Sequence, residues 1–187
     1  DRSSDVDLET GYAAASDWYF QMVFVATTAS IVSGALAERI LIWPFFLFIA
    51  ILTAFIYTIA GSWQWGGGWL SEMGFSDFAG STLVHAAGGS AALAGAIVLG
   101  PRLGRFTKST AEKPMPPFAN SSIPQVTIGV FILWFGWFGF NGGSQLALGT
   151  VDDATAIAKI FINTNLAAGG GVIANAIVTR FYSGKTD

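Results

Sequence analysis

The only histidine of the sequence, His85, lies in an apolar run at residues 77–100, DFAGSTLVHAAGGSAALAGAIVLG. A helix of about 20 apolar residues crosses the hydrocarbon layer of a membrane. If this helix begins at Asp77 as its N-cap, His85 lies about 12 Å deeper, near the middle of the layer. An ionisable ring at that depth is costly and usually serves a ligand or proton pathway. The alternative is a neutral imidazole that holds neighbouring helices together.

Aromatic side chains cluster at three further places, and two of these clusters, those around Trp65 and around Trp137 and Phe140, are rich in glycine. The clusters are WYFQMVF with Phe24, WQWGGGW with Trp65, and WFGWFGFNGGS with Trp137, Phe140 and Ser144. An aromatic belt at the membrane surface is one explanation of such clusters. The neighbouring glycines favour another, a cavity whose aromatic walls attract a small cation through cation–π contacts.

The composition is that of an integral membrane protein. The 187 residues are 52% hydrophobic and only 11% charged, whereas an ordinary soluble domain is about 25% charged. The net charge of −3 and the lack of a basic stripe disfavour a nucleic-acid partner. One histidine and no cysteine disfavour a metal site. No nucleophile triad or nucleotide loop is visible, so we predict no enzyme and no cofactor.

Five apolar stretches predict an all-α integral membrane protein, a polytopic helical bundle with five transmembrane helices. Backbone groups in lipid must bond within their own segment, which requires helices here. The predicted spans are residues 18–37, 42–61, 77–100, 123–141 and 154–179. Small residues are frequent in the third and fifth spans, which predicts close packing of these helices.

The connecting segments differ in charge between the two sides of the predicted membrane. One side receives seven of the nine basic residues: Arg39, Arg102, Arg105, Lys108, Lys113, Arg180 and Lys185. The other receives nine of the twelve acidic residues: Asp1, Asp5, Asp7, Glu9, Asp17, Glu72, Asp77, Asp152 and Asp153. The positive-inside rule therefore predicts a cell-membrane protein whose N-terminal tail lies outside and whose 101–122 loop is cytoplasmic.

Four motifs in order resemble those of the ammonium transporter family, on the Amt side of the Amt/Mep/Rh superfamily. They are IVSGALAERI, WGGGWL, DFAGSTLVHAAGGSAALAGAIVLGPRLGR and FGWFGFNGGS. The resemblance covers nearly the whole chain and implies that residues 1–187 are part of one membrane domain. The family fold it implies has eleven transmembrane helices in two inverted five-helix halves and assembles as a homotrimer. The spans found here resemble helices three to seven.

The resemblance also implies an outer site for ammonium. Trp65, Phe24 and Ser144 would bind the cation by cation–π contact and a hydrogen bond. Phe24 and Phe140 would form a gate of stacked phenyl rings beneath it. Trp137 would shape the vestibule above.

Two further residues match family positions that support the outer site or line the pore. Asp77 matches an acid that supports the outer site. His85 matches the first of two pore histidines, which implies that it helps carry ammonia, its proton, or both. The partners implied are ammonium or ammonia, membrane lipid and a cytoplasmic regulatory protein.

Three functions remain open from the sequence. The leading one is ammonium transport in nitrogen uptake. The second is an ammonium sensor whose transporter-like membrane domain signals to a cytoplasmic output domain, and the third is a purely structural membrane bundle. The chain has no initial Met or signal peptide, and the family's first two helices, second histidine and later helices lie outside it. We therefore expect a fragment, or a chain that another chain completes.

Overall fold

The computed structural model describes residues 6–7, 12–103 and 121–184. Among these residues, five helices are long and apolar enough to cross a membrane. They are span 1 (Ala14–Leu36), span 2 (Ile42–Ser62), span 3 (Ser81–Leu99), span 4 (Ile123–Gly143) and span 5 (Val151–Tyr182). The helix of span 5 continues to Ser183. The predicted all-α membrane fold is confirmed.

Three helices begin elsewhere than predicted, and span 5 is one of them, since it begins at Val151 rather than at residue 154. Span 1 begins at Ala14 rather than Trp18, which brings Asp17 into its first turn, where the helix dipole favours a negative charge. Span 3 begins at Ser81 rather than Asp77. His85 therefore lies only about 6 Å along this helix at 1.5 Å per residue. The prediction that the helix begins at Asp77 was therefore wrong, because the backbone from Asp77 to Gly80 is not helical, whereas the depth of His85 in the membrane stays a prediction.

Two smaller elements lie outside the spans. Strands β1 (Val6–Asp7) and β2 (Tyr12–Ala13) pair antiparallel, with Val6 opposite Ala13. A short helix, Trp69–Glu72, lies in the connection between spans 2 and 3. The apolar patterning of the sequence predicts neither element, because both are too short to show a period.

Spans 2 and 3 each contain a π-helical segment, at Leu52–Tyr57 and Ser81–Ala86. A π-helix bonds each N–H to the carbonyl five residues back, and short π segments are frequent at functional sites. The second segment contains His85, whose N–H donates to the Gly80 carbonyl across 3.0 Å. His85 thus lies in a π-helical turn, whereas the sequence predicts only that it lies in a helix.

The chain divides into two compact units, Asp1–Ala119 and Asn120–Asp187. In the first unit, spans 1 and 3 pack through small residues. A Cβ atom on Gly88 would lie 3.0 Å from the Thr28 carbonyl oxygen, and one on Gly95 would lie 2.8 Å from Leu36 Cδ2. Such small residues let helices approach in a membrane, where burial of oily surface gives little drive. The close packing predicted for span 3 is confirmed.

The C-terminal ends of spans 1 and 3 are joined by Arg39. Its guanidinium donates to the Ala35 carbonyl of span 1 and to the Gly100 carbonyl, 2.6 Å away, after span 3. A cation is favoured there because unpaired carbonyls make helix C-termini partly negative. Glu38 and Arg102 add an ion pair of 3.0 Å, which contributes little because both side chains are exposed.

In the second unit, spans 4 and 5 pack where span 4 has a glycine. A Cβ atom on Gly142 would lie 2.5 Å from Cε1 of Phe161. One turn further along span 5, Thr164 Oγ1 accepts a hydrogen bond of 2.9 Å from Asn141 Nδ2, a polar contact of the kind that joins helices in membranes. The glycines of span 5 at 169–171 have open space around them within this unit. The close packing predicted for them is therefore not seen there.

The contact between spans 1 and 3 predicts different effects for two adjacent glycines. Gly88→Ala should lower the free energy of unfolding by about 1–3 kcal/mol, since the new methyl group overpacks the helix contact. Gly89→Ala is the matched control, because a Cβ atom there meets nothing within 4 Å. Thermal unfolding in detergent, with the chain expressed from its full reading frame, measures both. Equal midpoints for the two variants would contradict this packing.

Candidate functional site

Trp65 lies in a tight loop that folds back over the end of span 2. A Cβ atom on Gly66 would lie 2.8 Å from the Ser62 Cα and carbonyl oxygen, and one on Gly68 would lie 2.7 Å from the same oxygen. Gly67 has φ +70°, a left-handed conformation that favours glycine. The three glycines therefore let the loop turn sharply, and this turn fixes the position of the Trp65 ring.

The Trp65 ring contacts Phe24 of span 1. The ring centroids are 5.4 Å apart in an edge-to-face arrangement at 70°. Phe24 also contacts Phe20 edge to face, with centroids 4.9 Å apart. Pairs of this kind contribute about 0.5–1.5 kcal/mol beyond the area they bury. Phe24 is only 2% exposed, whereas Trp65 is half-buried, so the tryptophan presents more of its surface.

Asp77 connects the Trp65 loop to span 3. Its backbone carbonyl accepts a hydrogen bond of 2.8 Å from Trp65 Nε1. Its carboxylate is buried and accepts four bonds from backbone N–H groups at the start of span 3. These donors are Gly80 at 2.8 Å, Ser81 at 3.0 Å, Thr82 at 2.8 Å and Leu83 at 2.8 Å. The first N–H groups of a helix have no partner inside it, so this carboxylate caps the helix.

Asp77 caps span 3, but it is not the N-cap residue that the sequence predicted. The N-cap position belongs to Gly80, and the acid reaches it from three residues upstream. Gly80 has φ +91°, and a Cβ atom there would lie 2.5 Å from Val84 Cγ2 and 3.4 Å from Trp65 Cη2. Gly80 was not among the predicted site residues. The signal for it was a glycine between an acid and an apolar helix.

His85 lies near the end of the π segment that Asp77 caps. The side chain is half-buried, and the two residues before it, Leu83 and Val84, are buried. The same acid therefore holds the Trp65 indole and the start of the helix that carries His85. Of the predicted site residues, Phe24, Trp65, Asp77 and His85 belong to the first unit.

The other three predicted site residues belong to the second unit. Phe140 lies in the last turn of span 4, and Ser144 follows the final residue of that helix. The Ser144 hydroxyl donates to the Phe140 carbonyl across 2.7 Å. Since the single hydroxyl proton is used in this bond, the oxygen of Ser144 still offers lone pairs to a donor. Trp137, one turn before Phe140, is 42% exposed.

These side chains offer two kinds of chemistry. Aromatic faces attract cations, and hydroxyl and imidazole groups accept hydrogen bonds or protons. Within residues 6–7, 12–103 and 121–184, no group of three His, Cys, Asp or Glu side chains is placed to hold a metal ion. Each unit therefore contributes groups of the kinds that can contact a small cation or accept its hydrogen bonds.

Comparison with known proteins agrees with the motifs. The model of the Ammonium Transporter Family matches residues 3–187. This chain belongs to that family. It is accordingly a multi-pass membrane protein, and the resemblance drawn from its motifs is confirmed.

Three relatives within the ammonium transporter family are longer than this chain. Ammonium transporter Amt2 of Archaeoglobus fulgidus is 43% identical over 91% of this chain and 37% of its own length. Ammonium transporter Amt1 of Haloferax mediterranei is 40% identical over 91% and 36%. An ammonium transporter of Bacillus subtilis is 42% identical over 82% and 34%. The chain thus spans less than two fifths of the length of these relatives.

The four bonds to Asp77 predict a local effect of its replacement. In Asp77→Asn, one carboxylate oxygen becomes an NH₂ group that cannot accept the N–H donors of the helix. Amide hydrogens of residues 80–83 should then exchange about tenfold faster, because bonds to a charged acceptor stabilise more than neutral ones. Hydrogen exchange with mass spectrometry measures this change. Asp152→Asn, at an exposed position of span 5, is the control, and unchanged exchange at residues 80–83 in Asp77→Asn would contradict the capping role.

Proposed function

We propose that this chain forms part of a protein that transports ammonium across a membrane. The observation that carries the proposal is the position of Trp65. Its ring lies against Phe24, and its indole N–H bonds to Asp77, the residue that caps the His85 helix. An aromatic cation site and an ionisable residue are thus built on one rigid connection. The names of the relatives support the same substrate.

In the proposed outer site, ammonium lies against the exposed surface of Trp65. Cation–π attraction is worth about 0.5–1 kcal/mol at exposed sites and about 2 kcal/mol where water is excluded. Ser144 supplies an acceptor, because its hydroxyl proton is already donated to Phe140. An acceptor favours ammonium over K⁺, which has no hydrogen to donate. Trp137 shapes the vestibule around the cation.

Passage inward begins at the proposed phenyl gate of Phe24 and Phe140. Ammonium loses most of its hydration there and gives up a proton, so that the apolar pore below conducts ammonia. His85 helps carry ammonia, the proton, or both, since imidazole is the side chain that exchanges protons near neutral pH. K⁺ has no proton to lose, and the pore therefore excludes it.

The proposed orientation follows from charge. Arg39, Arg102 and Arg180 lie on the predicted cytoplasmic side, and Glu72 and Asp152 on the outer side. The other charged residues on which this orientation rests lie outside the described residues. They are the basic residues Arg105, Lys108, Lys113 and Lys185 and the acids Asp1, Asp5 and Glu9. We also propose a homotrimer in the cell membrane, with the 101–122 loop available to a cytoplasmic regulatory protein.

Ammonium-evoked current on supported membranes tests the proposal. The chain, expressed from its full reading frame and reconstituted in liposomes, should give a saturable current. Phe24→Ala and Trp65→Ala should each reduce this current at low ammonium about tenfold, because each removes an aromatic contact of the cation site. Trp69→Ala is the matched control, since Trp69 is 50% exposed and packs on Trp63 instead.

Other outcomes would indicate a different function or contradict the proposed site. No current, together with ammonium binding that Trp65→Ala abolishes, would indicate the sensor. No current and no binding would indicate a structural bundle. An equal loss in Trp65→Ala and Trp69→Ala would contradict the proposed site even if the protein transports ammonium.

The pore role of His85 makes a separate prediction. His85→Asp places a carboxylate in the pore, which offers a permanent charge to a cation that has no proton to lose. The ratio of ammonium current to K⁺ current should therefore fall. The same liposomes measure both currents under matched gradients. An unchanged ratio would count against His85 as an uncharged relay.

A further inference from the structure

Thr28 lies one helical turn after Phe24 in span 1 and is fully buried, with 0% of its surface exposed. Its hydroxyl oxygen is 3.2 Å from the Phe24 carbonyl oxygen and 3.4 Å from that of Val84. The first acceptor belongs to its own helix. The second belongs to the π segment of span 3, directly before His85. One hydroxyl proton therefore lies between the backbone of the proposed gate and that of the proposed relay.

The backbone of Thr28 contacts span 3 a second time. Its carbonyl oxygen would lie 3.0 Å from a Cβ atom on Gly88, and Ile31 Cβ would lie 3.1 Å from the same atom. Gly88 follows His85 by three residues, so Thr28 contacts span 3 on both sides of His85. Because Gly88 has no side chain, these backbones approach closely and leave little room for one helix to slide along the other.

The neighbouring threonine shows that this contact is specific to one face of span 1. Thr27 is half-buried and bonds the Val23 carbonyl of its own helix across 2.8 Å. This is the ordinary arrangement of threonine in a helix, in which the hydroxyl bonds the carbonyl four residues back. Thr28 adds a contact to another helix. A buried hydroxyl needs such acceptors, since leaving it without one costs free energy.

We propose that Thr28 is a positioning residue that sets the distance between Phe24 and His85. The inference rests on the proposed function, because it concerns the transfer of ammonia or its proton from the gate to the histidine. Thr28 does not touch the Trp65 loop through these contacts. Its hydroxyl therefore affects the pore step rather than the capture of ammonium at the outer site.

Two substitutions separate the hydroxyl from the shape of the side chain. Thr28→Val keeps the shape and removes the hydroxyl, whereas Thr28→Ser keeps the hydroxyl. In the liposome assay, Thr28→Val should lower the maximal current about fivefold, the factor that corresponds to one lost buried hydrogen bond. The ammonium concentration that gives half of the maximal current should change by less than about twofold. Thr28→Ser should restore most of the maximal current. Thr27→Val is the matched control on the same helix and should match the unmodified protein.

Several results would overturn the inference. They are an unchanged maximal current in Thr28→Val, an equal loss in Thr28→Ser, or an equal loss in Thr27→Val. If the unmodified protein gives no current, the proposed function fails, and hydrogen exchange then decides the positioning role. Amides of residues 83–89 should exchange faster in Thr28→Val than in Thr27→Val, and equal exchange would overturn the inference independently of transport.

Discussion

The buried carboxylate of Asp77 is the interaction on which the first unit depends. A carboxylate removed from water needs strong partners, and Asp77 finds four N–H donors at the start of span 3. This requirement fixes the backbone around the acid, and its carbonyl is thereby fixed as the acceptor for Trp65. One electrostatic requirement thus positions both the Trp65 ring, which is the proposed cation surface, and the helix that carries His85.

Glycine has two distinct uses in this unit. At Gly67 and Gly80 it supplies a left-handed backbone that other residues rarely adopt. At Gly88 and Gly95 it supplies space, since a Cβ atom would meet span 1 at 3.0 Å or less. The first use shapes the loop and the helix start around Trp65, and the second brings spans 1 and 3 together. The second use is required because a membrane gives helices little hydrophobic reason to associate.

Much of the fold could be predicted from the sequence, because the membrane demands long apolar segments that remain visible in a single chain. The family could be recognised from its motifs for a similar reason, since loop glycines and aromatic residues stand at fixed spacing. The pairing of Trp65 with Phe24 was expected only through that resemblance.

The details around His85 could not be predicted. A π segment has no distinctive composition, and the start of span 3 depends on the non-helical turn from Asp77 to Gly80, which apolar patterning does not register. Thr28 looks like any small residue of a membrane helix until its neighbours are known. Residues of this kind act through contacts between distant parts of the chain, and such contacts leave no local pattern.

The hydrogen bonds of Arg39 have a consequence for the motion of spans 1 and 3. Arg39 joins the C-terminal ends of spans 1 and 3. Nearer their other ends, Phe24 of span 1 contacts Trp65, whose indole bonds to Asp77, the residue that caps span 3. Helices fastened at both ends cannot rock apart without breaking one fastening. Separation of these two helices is therefore disfavoured. Under the proposed function, passage at Phe24 would rely instead on movement of single side chains, which is faster than domain movement.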